Sequence, residues 1–265
     1  GAARVADPGT LEPWRRWLAE ELPARIVAAW LEEVERHWRM DPGAEASAFS
    51  PLLYGATLGV LLLTPFWWAH TGLGDWDLVR IEAAGGEALL SEEPERQAAG
   101  EATFSLCLER AERHFAPRSA LVPLTAEAPP FALLLCSDGL RKSCGSDADF
   151  LTLSRYLVGL SNAGDQAGCT ELAEALDHIS SQGSGDDISV AVARWVPAQQ
   201  SAPWPEPGQP PAARLVQPEP GARSGMQQAR AVTAACEPAA GARVDQPLAG
   251  SPLAAAPPPP RSSRR

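Results

Sequence analysis

Two acidic motifs stand at the ends of hydrophobic segments in the middle of this 265-residue chain. Asp138-Gly139 follows the apolar run Phe131–Cys136, and Asp186-Asp187 precedes the apolar run at residues 188–195. Core packing explains these positions poorly, because burial disfavours the charged form of a carboxylate. Two carboxylates aimed from the ends of neighbouring strands would supply the oxygen ligands that hard cations prefer. The pattern therefore predicts a metal site built on Asp138 and Asp186.

Each of these motifs also has a purely structural interpretation. Asp138-Gly139 is a strong turn signal, since the Asp side chain bonds nearby backbone and Gly accepts left-handed backbone. Asp186-Asp187 follows a stretch rich in Ser and Gly, which is compatible with a solvated turn. Turn formation and metal binding stay open for either motif alone, and the presence of both favours the metal site.

A third acid and a neighbouring basic pair belong to the same question. Asp75 ends the sequence Gly72-Leu-Gly-Asp75, and together with Asp77 it flanks Trp76. These residues are typical of a hairpin turn, an interpretation that we favour over metal binding for this segment taken alone. Arg141-Lys142 follows the first acidic motif directly, where it is suited both to attracting phosphate and to beginning a solvated helix.

The pattern of apolar residues predicts the elements that position these acids. Residues 1–43 form a helix with an apolar face that repeats about every four positions, and Phe131–Cys136 forms a central strand. The other predicted elements are strands over 56–63, 66–71, 77–82, 102–106 and 188–195, and helices over 148–160 and 170–180. Strands that come first, with helices inserted as a pair, favour a layered α+β fold over a simple alternation of strands and helices.

The bulk composition disfavours several classes of protein. A net charge of −11 argues against binding to the nucleic-acid backbone. Five cysteines without Cys-x-x-Cys spacing and four scattered histidines argue against zinc, and they predict reduced thiols and a cytoplasmic location. The longest apolar run, at residues 58–69, is too short to span a bilayer, so no membrane contact is expected.

The composition changes after Pro197. Residues 197–265 hold 15 of the 26 prolines, in a background of Ala, Gly and Gln with few large apolar side chains. Such a segment cannot bury enough apolar surface to offset the entropy that is lost on ordering. We therefore predict a folded domain over residues 1–196 and a disordered Pro/Ala-rich tail over residues 197–265.

Taken in order, the three acidic motifs resemble those of a known family. Gly72-Leu-Gly-Asp75, Cys-Ser-Asp138-Gly139 and Gly-Asp186-Asp187-Ile-Ser189 are similar to motifs of the metal-dependent serine/threonine protein phosphatases of type 2C, the PPM family, and most of all to its bacterial branch. The resemblance implies a centre of two Mn²⁺ or Mg²⁺ ions to which Asp138 and Asp186 contribute ligands. It also implies that Asp75 helps to hold a more weakly bound third metal.

The resemblance further implies a fold, an activity and partners. The fold would be a four-layer α/β/β/α sandwich, and the activity would be hydrolysis of phosphoserine and phosphothreonine in proteins by a metal-activated water. Phosphoproteins would be the substrates, and a cognate protein kinase is an implied partner. The chain lacks the opening motifs of the family, Arg-x-x-Asn-Glu-Asp and Asp-Gly-x-Gly, so we expect a truncated N-terminus with the first strands missing. A catalytically incompetent interaction or regulatory module is the alternative.

Overall fold

The helices fall into an N-terminal group and a second group that precedes the last long strand. A computed structural model describes residues 8–41, 48–91, 103–125, 127–161, 166–197 and 234–235. The helices are α1 (Pro8–Arg16), α2 (Leu22–Met40), α3 (Asp138–Lys142), α4 (Asp147–Leu160) and α5 (Gln166–Gln182), and a π-helical segment (Trp17–Glu21) joins the first two. The helix predicted over residues 1–43 is thus confirmed from residue 8 to residue 40, and the two later helices are confirmed as well.

The strands form two separate sheets. In chain order they are β1 (Leu58–Leu63), β2 (Trp67–Leu73), β3 (Asp77–Glu82), β4 (Glu87–Ser91), β5 (Ala120–Pro123), β6 (Phe131–Cys136), β7 (Val190–Trp195) and β8 (Ala234–Ala235). One sheet has the order β1-β2-β5, and the other has the order β4-β3-β6-β7-β8. All of these pairings are antiparallel except that of β8 with β7, which is parallel. The predicted α+β class is therefore confirmed.

Alternation along the strands explains how the second sheet buries both of its faces. On β6, Phe131 and Leu133 pack with Trp68 of the first sheet, whereas Ala132 and Leu134 pack among residues of α4 and α5. Successive side chains of a strand point to opposite faces, so a strand that is apolar throughout belongs between two packed layers. The predicted central position of Phe131–Cys136 is confirmed.

Helices α1 and α2 cover the first sheet and its connections. Leu11 and Leu18 pack with Ala69 and Leu121 of that sheet. A separate cluster joins residues of α2 with the end of β2 and with the segment that leads to β5; its buried members are Val27, Leu73, Leu106, Ala111 and Phe115. The amphipathic N-terminal helix is therefore a packing element.

Two expectations about local structure are wrong, and two strands were not expected. The strand predicted over residues 102–106 is absent from the described residues 103–106, which form coil and turn. Asp75 does not lie in a hairpin, because β2 and β3 belong to different sheets and the link around it passes from one sheet to the other. Strands β4 and β5 were not predicted; they are short, and their sequences, Glu87–Ser91 and Ala120–Pro123, carry little β-branched character.

The cysteines of the described chain include both free and disulfide-bonded residues. Cys107, Cys136 and Cys144 are free thiols, as predicted, whereas Cys169 is disulfide-bonded, so the expectation of fully reduced cysteines is wrong there.

None of the described helices is both long and apolar enough to cross a bilayer. Most of the predicted tail from residue 197 lies outside the described residues.

Candidate functional site

The strand register brings three acid-bearing segments to one end of the second sheet. On neighbouring antiparallel strands Asp77 lies opposite Cys136, and Cys136 lies opposite Val190. The start of β3, the end of β6 and the start of β7 are therefore adjacent. Asp75 comes just before β3, Asp138 just after β6, and Asp186 shortly before β7.

A single lysine joins two of these acids. Asp138 begins α3 and Lys142 ends it four residues later, a spacing that places both side chains on one face of the helix. The Lys142 ammonium forms an ion pair with the Asp138 carboxylate and a second one with Asp186, with 3.3 Å between Lys142 Nζ and Asp186 Oδ2. The predicted convergence of Asp138 and Asp186 is confirmed, and their role as metal ligands stays a prediction.

Asp75 joins the same cluster through Asp138. Burial raises the pKa of Asp75 to about 6, and a hydrogen bond with the Asp138 side chain and the repulsion between the two carboxylates act in the same direction. Burial alone would lower the pKa of Lys142, but the hydrogen bonds and charges of Asp138 and Asp186 outweigh it and hold that pKa above its usual value. The structure thus brings together all three acids that the sequence singled out.

The neighbouring Arg141 is directed into the protein. Its guanidinium forms ion pairs with Asp77 Oδ1 at 3.2 Å and Asp147 Oδ1 at 2.9 Å, and the Asp77 side chain is completely buried. A buried carboxylate needs such a partner, because an uncompensated buried charge is strongly destabilising. Arg141 therefore links β3 to α3 and α4, and a structural role fits it better than attraction of phosphate.

Serine hydroxyls attach the Asp186 loop to α3. Ser143 Oγ donates to the carbonyl oxygen of Gly139 over 2.7 Å and lies 2.9 Å from Ser184 Oγ. Ser184 Oγ in turn accepts a 3.3 Å hydrogen bond from the Asp186 N–H, and Ser180 Oγ donates to the Asp186 carbonyl oxygen over 2.7 Å. The backbone on both sides of the Asp186 carboxylate is thus held by short polar side chains.

The two acidic loops also touch directly. The backbone N–H of Ser137 donates to the carbonyl oxygen of Ser189, and the Ser189 N–H donates to Ser137 Oγ, both over 3.0 Å. A Cβ atom added at Gly139 would lie 2.5 Å from the carbonyl oxygen of Asp187. Glycine is therefore required after Asp138 because the second loop crosses directly over it, which explains the Asp-Gly pair better than turn geometry does.

A buried arginine holds the Asp75 link. The Arg118 guanidinium donates to the carbonyl oxygens of Gly74 and Trp76, the residues on either side of Asp75, and its carbon Cζ lies 3.7 Å from the centre of the Trp76 ring. Arg118 Nε also donates to Ser91 Oγ over 3.2 Å. Gly74 has φ +90°, a conformation that favours glycine. The position of Asp75 is therefore set by its neighbours on both sides.

Comparison with sequence models of protein families shows to which family this chain belongs. A sequence model of the protein phosphatase 2C family matches residues 3–177, which is more than half of the chain. The chain belongs to the protein phosphatase 2C family. The match includes Asp75, Asp138 and Lys142 and ends before Asp186. No curated protein sequence is similar enough to be matched with the chain.

Members of the protein phosphatase 2C family are generally metal-dependent, so the donor set must be compared with the needs of a cation. In the part of the chain that the structure describes, no group of three or more His, Cys, Asp or Glu side chains is arranged to hold a metal ion. Mg²⁺ is commonly bound through one or two carboxylates and several waters, and Asp138 and Asp186 meet that smaller requirement. Both already contact one positive charge, that of Lys142, so the chemistry of the pair fits a hard cation.

Sequence reasoning missed Arg118, Ser143 and Ser184, which support the acidic cluster. Arg118 stands alone in Phe-Ala-Pro-Arg118 without a motif, and its partners come from segments 27 to 44 residues away. Ser143 and Ser184 belong to serine-rich stretches that resemble loops. The sequence singled out Arg141-Lys142 but not the ion pairs of Lys142. The pair with Asp138 has one usable signal, the spacing of four residues, because an acid followed by a base at that spacing pairs on a helix.

Proposed function

We propose that this chain is a metal-dependent protein serine/threonine phosphatase domain. The observation that carries the proposal is the meeting of Asp138 and Asp186 at one positive charge, in a chain of the protein phosphatase 2C family. Asp138 directly follows β6, and Asp186 lies in the loop before the adjacent strand β7, so the pairing of the two strands brings both carboxylates to the same end of the sheet.

Asp138 and Asp186 would hold Mn²⁺ or Mg²⁺, and Asp75 would assist through its contact with Asp138. A bound divalent cation lowers the pKa of coordinated water and polarises a phosphoryl oxygen. Asp138 is the more enclosed ligand, with 14% of its side chain exposed, and Asp186 faces solvent, with 46% exposed. Asp138 would therefore anchor the ion, while Asp186 completes its binding from the open side.

The finer features of the proposal follow the sequence resemblance. The two packed sheets, with α4 and α5 on one side and α1 on the other, support the four-layer α/β/β/α arrangement of PPM phosphatases. An exposed site at the end of a sheet suits a phosphoserine or phosphothreonine on a protein surface better than a small buried ligand. A cytoplasmic location and a cognate protein kinase as partner remain predictions.

One observation favours the alternative, a non-catalytic interaction or regulatory module. The Lys142 ammonium pairs with both Asp138 and Asp186 without any metal and offsets part of their negative charge, so the acids have a partner even in a protein that never binds one. Such a module would keep the fold and the contacts of the site, and it would lack hydrolysis.

Hydrolysis assays separate the two candidates. The chain is assayed with p-nitrophenyl phosphate and a phosphoserine peptide, with MnCl₂ and with EDTA. A phosphatase gives turnover that requires Mn²⁺ and falls about a hundredfold or more in Asp138→Asn. Asp187→Asn removes the same charge from an exposed neighbouring position and leaves turnover nearly unchanged. Absence of Mn²⁺-dependent turnover from the unmodified chain would overturn the phosphatase proposal in favour of the module.

A further inference from the structure

Lys142 is the only lysine in the chain, in which the other 21 basic residues are arginine. Its ammonium is shared between Asp138 on the same helix and Asp186 on the loop before β7. This is the position at which a cation bound by both carboxylates would lie. An ammonium and a divalent ion cannot occupy it together, because like charges at that separation repel strongly.

The two adjacent basic residues of α3 differ in how firmly they are held. The Arg141 side chain is 16% exposed and pairs with the completely buried Asp77. The Lys142 side chain is 50% exposed, and both of its partners lie at the surface end of the sheet. Lysine carries its charge on a long stem with four rotatable bonds, so its head group can leave the acids without movement of the helix backbone.

From these contacts we infer that Lys142 is the resident counter-ion of the acid pair and that a divalent cation must displace it in order to bind. The inference rests on the proposed function, since the competing ion is the metal of that site. Lys142 keeps Asp138 and Asp186 close together before the metal arrives, and the displacement weakens metal binding. The lysine therefore sets the metal concentration at which the site fills.

Removal of the charge tests the competition. Mn²⁺ binding is measured by isothermal titration calorimetry for the unmodified chain, for Lys142→Met and for Lys142→Arg. The Met variant binds Mn²⁺ about tenfold more tightly, since two ion pairs no longer have to be broken. The Arg variant keeps the charge and therefore the weaker binding. Arg39→Met is the matched control, because Arg39 pairs with Glu35 on α2 and its loss changes the net charge equally.

A spectroscopic measurement follows the displacement in the unmodified chain. Because the chain has one lysine, ¹³C-labelled lysine gives a single set of side-chain NMR signals, all from Lys142. On titration with Mg²⁺ the Cε signal moves towards the position of free lysine, with the midpoint that calorimetry gives for Mg²⁺.

The outcomes separate failure of this inference from failure of the proposed function. If Mg²⁺ and Mn²⁺ bind while the lysine signal stays in place and Lys142→Met binds no more tightly than Arg39→Met, displacement is wrong and the metal site stands. If neither the unmodified chain nor Lys142→Met binds Mn²⁺, both the inference and the metal-dependent function are overturned.

Discussion

Two segments present acids to the same end of the second sheet, and they are secured in opposite ways. The link at residues 74–76 is held by the buried guanidinium of Arg118, which donates to the backbone on both sides of Asp75. The loop at residues 183–189 is held by serine hydroxyls, with Asp186 itself exposed. The backbone beside one acid is thus held by a buried charge, and the backbone beside the other by neutral hydrogen bonds.

The difference indicates that the two segments differ in stability. A hydrogen bond from a charged donor contributes about 1.5–3 kcal/mol and a neutral one about 1 kcal/mol. The Asp75 link should therefore be the stable side, on which the fold depends, and the Asp186 loop should be the adjustable side. Exchange of the Lys142 ammonium for a larger hydrated cation requires that the Asp186 side chain can change its position. The following predictions test this contrast, from the largest expected effect to the smallest.

Loss of the buried arginine should have the largest effect on stability. Arg118→Met leaves the carbonyl oxygens of Gly74 and Trp76 without their donor, and we expect the free energy of unfolding to fall by about 3 kcal/mol. Urea denaturation followed by tryptophan fluorescence measures it. Arg39→Met, at an exposed position, should change it by less than about 0.5 kcal/mol. Equal effects of the two variants would show that Arg118 does not secure the link.

Separation of the two acidic loops should have the next largest effect. Gly139→Ala places a Cβ atom 2.5 Å from the carbonyl oxygen of Asp187, which we expect to cost about 2 kcal/mol of stability. In Gly55→Ala, the control, the nearest neighbour of the new Cβ is Ser105 Oγ at 3.4 Å, an ordinary contact. Thermal denaturation of the two variants measures the difference, and comparable losses would mean that the crossing of the loops is not tight.

The serine contacts should each contribute less. Ser184→Ala removes the acceptor of the Asp186 N–H and the partner of Ser143, and we expect a loss of about 1 kcal/mol. Ser181→Ala, which affects only an exposed bond to His178, serves as the matched control in the same denaturation experiment. A loss at Ser184 as large as that at Arg118 would contradict the contrast between the two segments.

Mild acid should reduce the contribution of the buried His70 to stability. Burial lowers the pKa of His70 to about 4, and the charge of Arg118 adds to the effect. Because the unfolded chain binds this proton more readily, stability is complete above about pH 6.5 and is lost as the pH falls towards 4. From about pH 7 to about pH 6 the loss due to His70 should be less than about 1 kcal/mol.

The contribution of His70 can be isolated by substitution. His70→Gln should show a smaller loss of stability than the unmodified chain over this pH range, whereas His178→Gln, at an exposed position, should keep the full loss. Urea denaturation at each pH measures the effect. An identical pH dependence for the unmodified chain and His70→Gln would show that His70 is not neutral in the folded protein.

The sequence was sufficient for those parts of the structure that depend on local pattern. Strand Phe131–Cys136 is apolar at every position, which is typical of a strand buried on both faces. Asp138 and Asp186 could be paired because each lies next to a predicted strand, Asp138 directly after β6 and Asp186 shortly before β7. The hairpin predicted at Asp75 is wrong, because the sequence of a short link between two strands does not show whether those strands belong to one sheet or to two. The structural role of Arg118 could not be predicted, because it depends on contacts that exist only in the folded chain.

Cooperation of Asp138 and Asp186 in binding one cation is most directly tested by a double-mutant cycle on Mn²⁺ affinity. Calorimetric titrations compare the unmodified chain with Asp138→Asn, Asp186→Asn and the double variant, with Asp187→Asn as the control. If both carboxylates hold the same ion, each single substitution weakens binding about tenfold or more, and the double variant is scarcely weaker than either single one. Losses that simply add, or an equal loss in Asp187→Asn, would contradict a shared site.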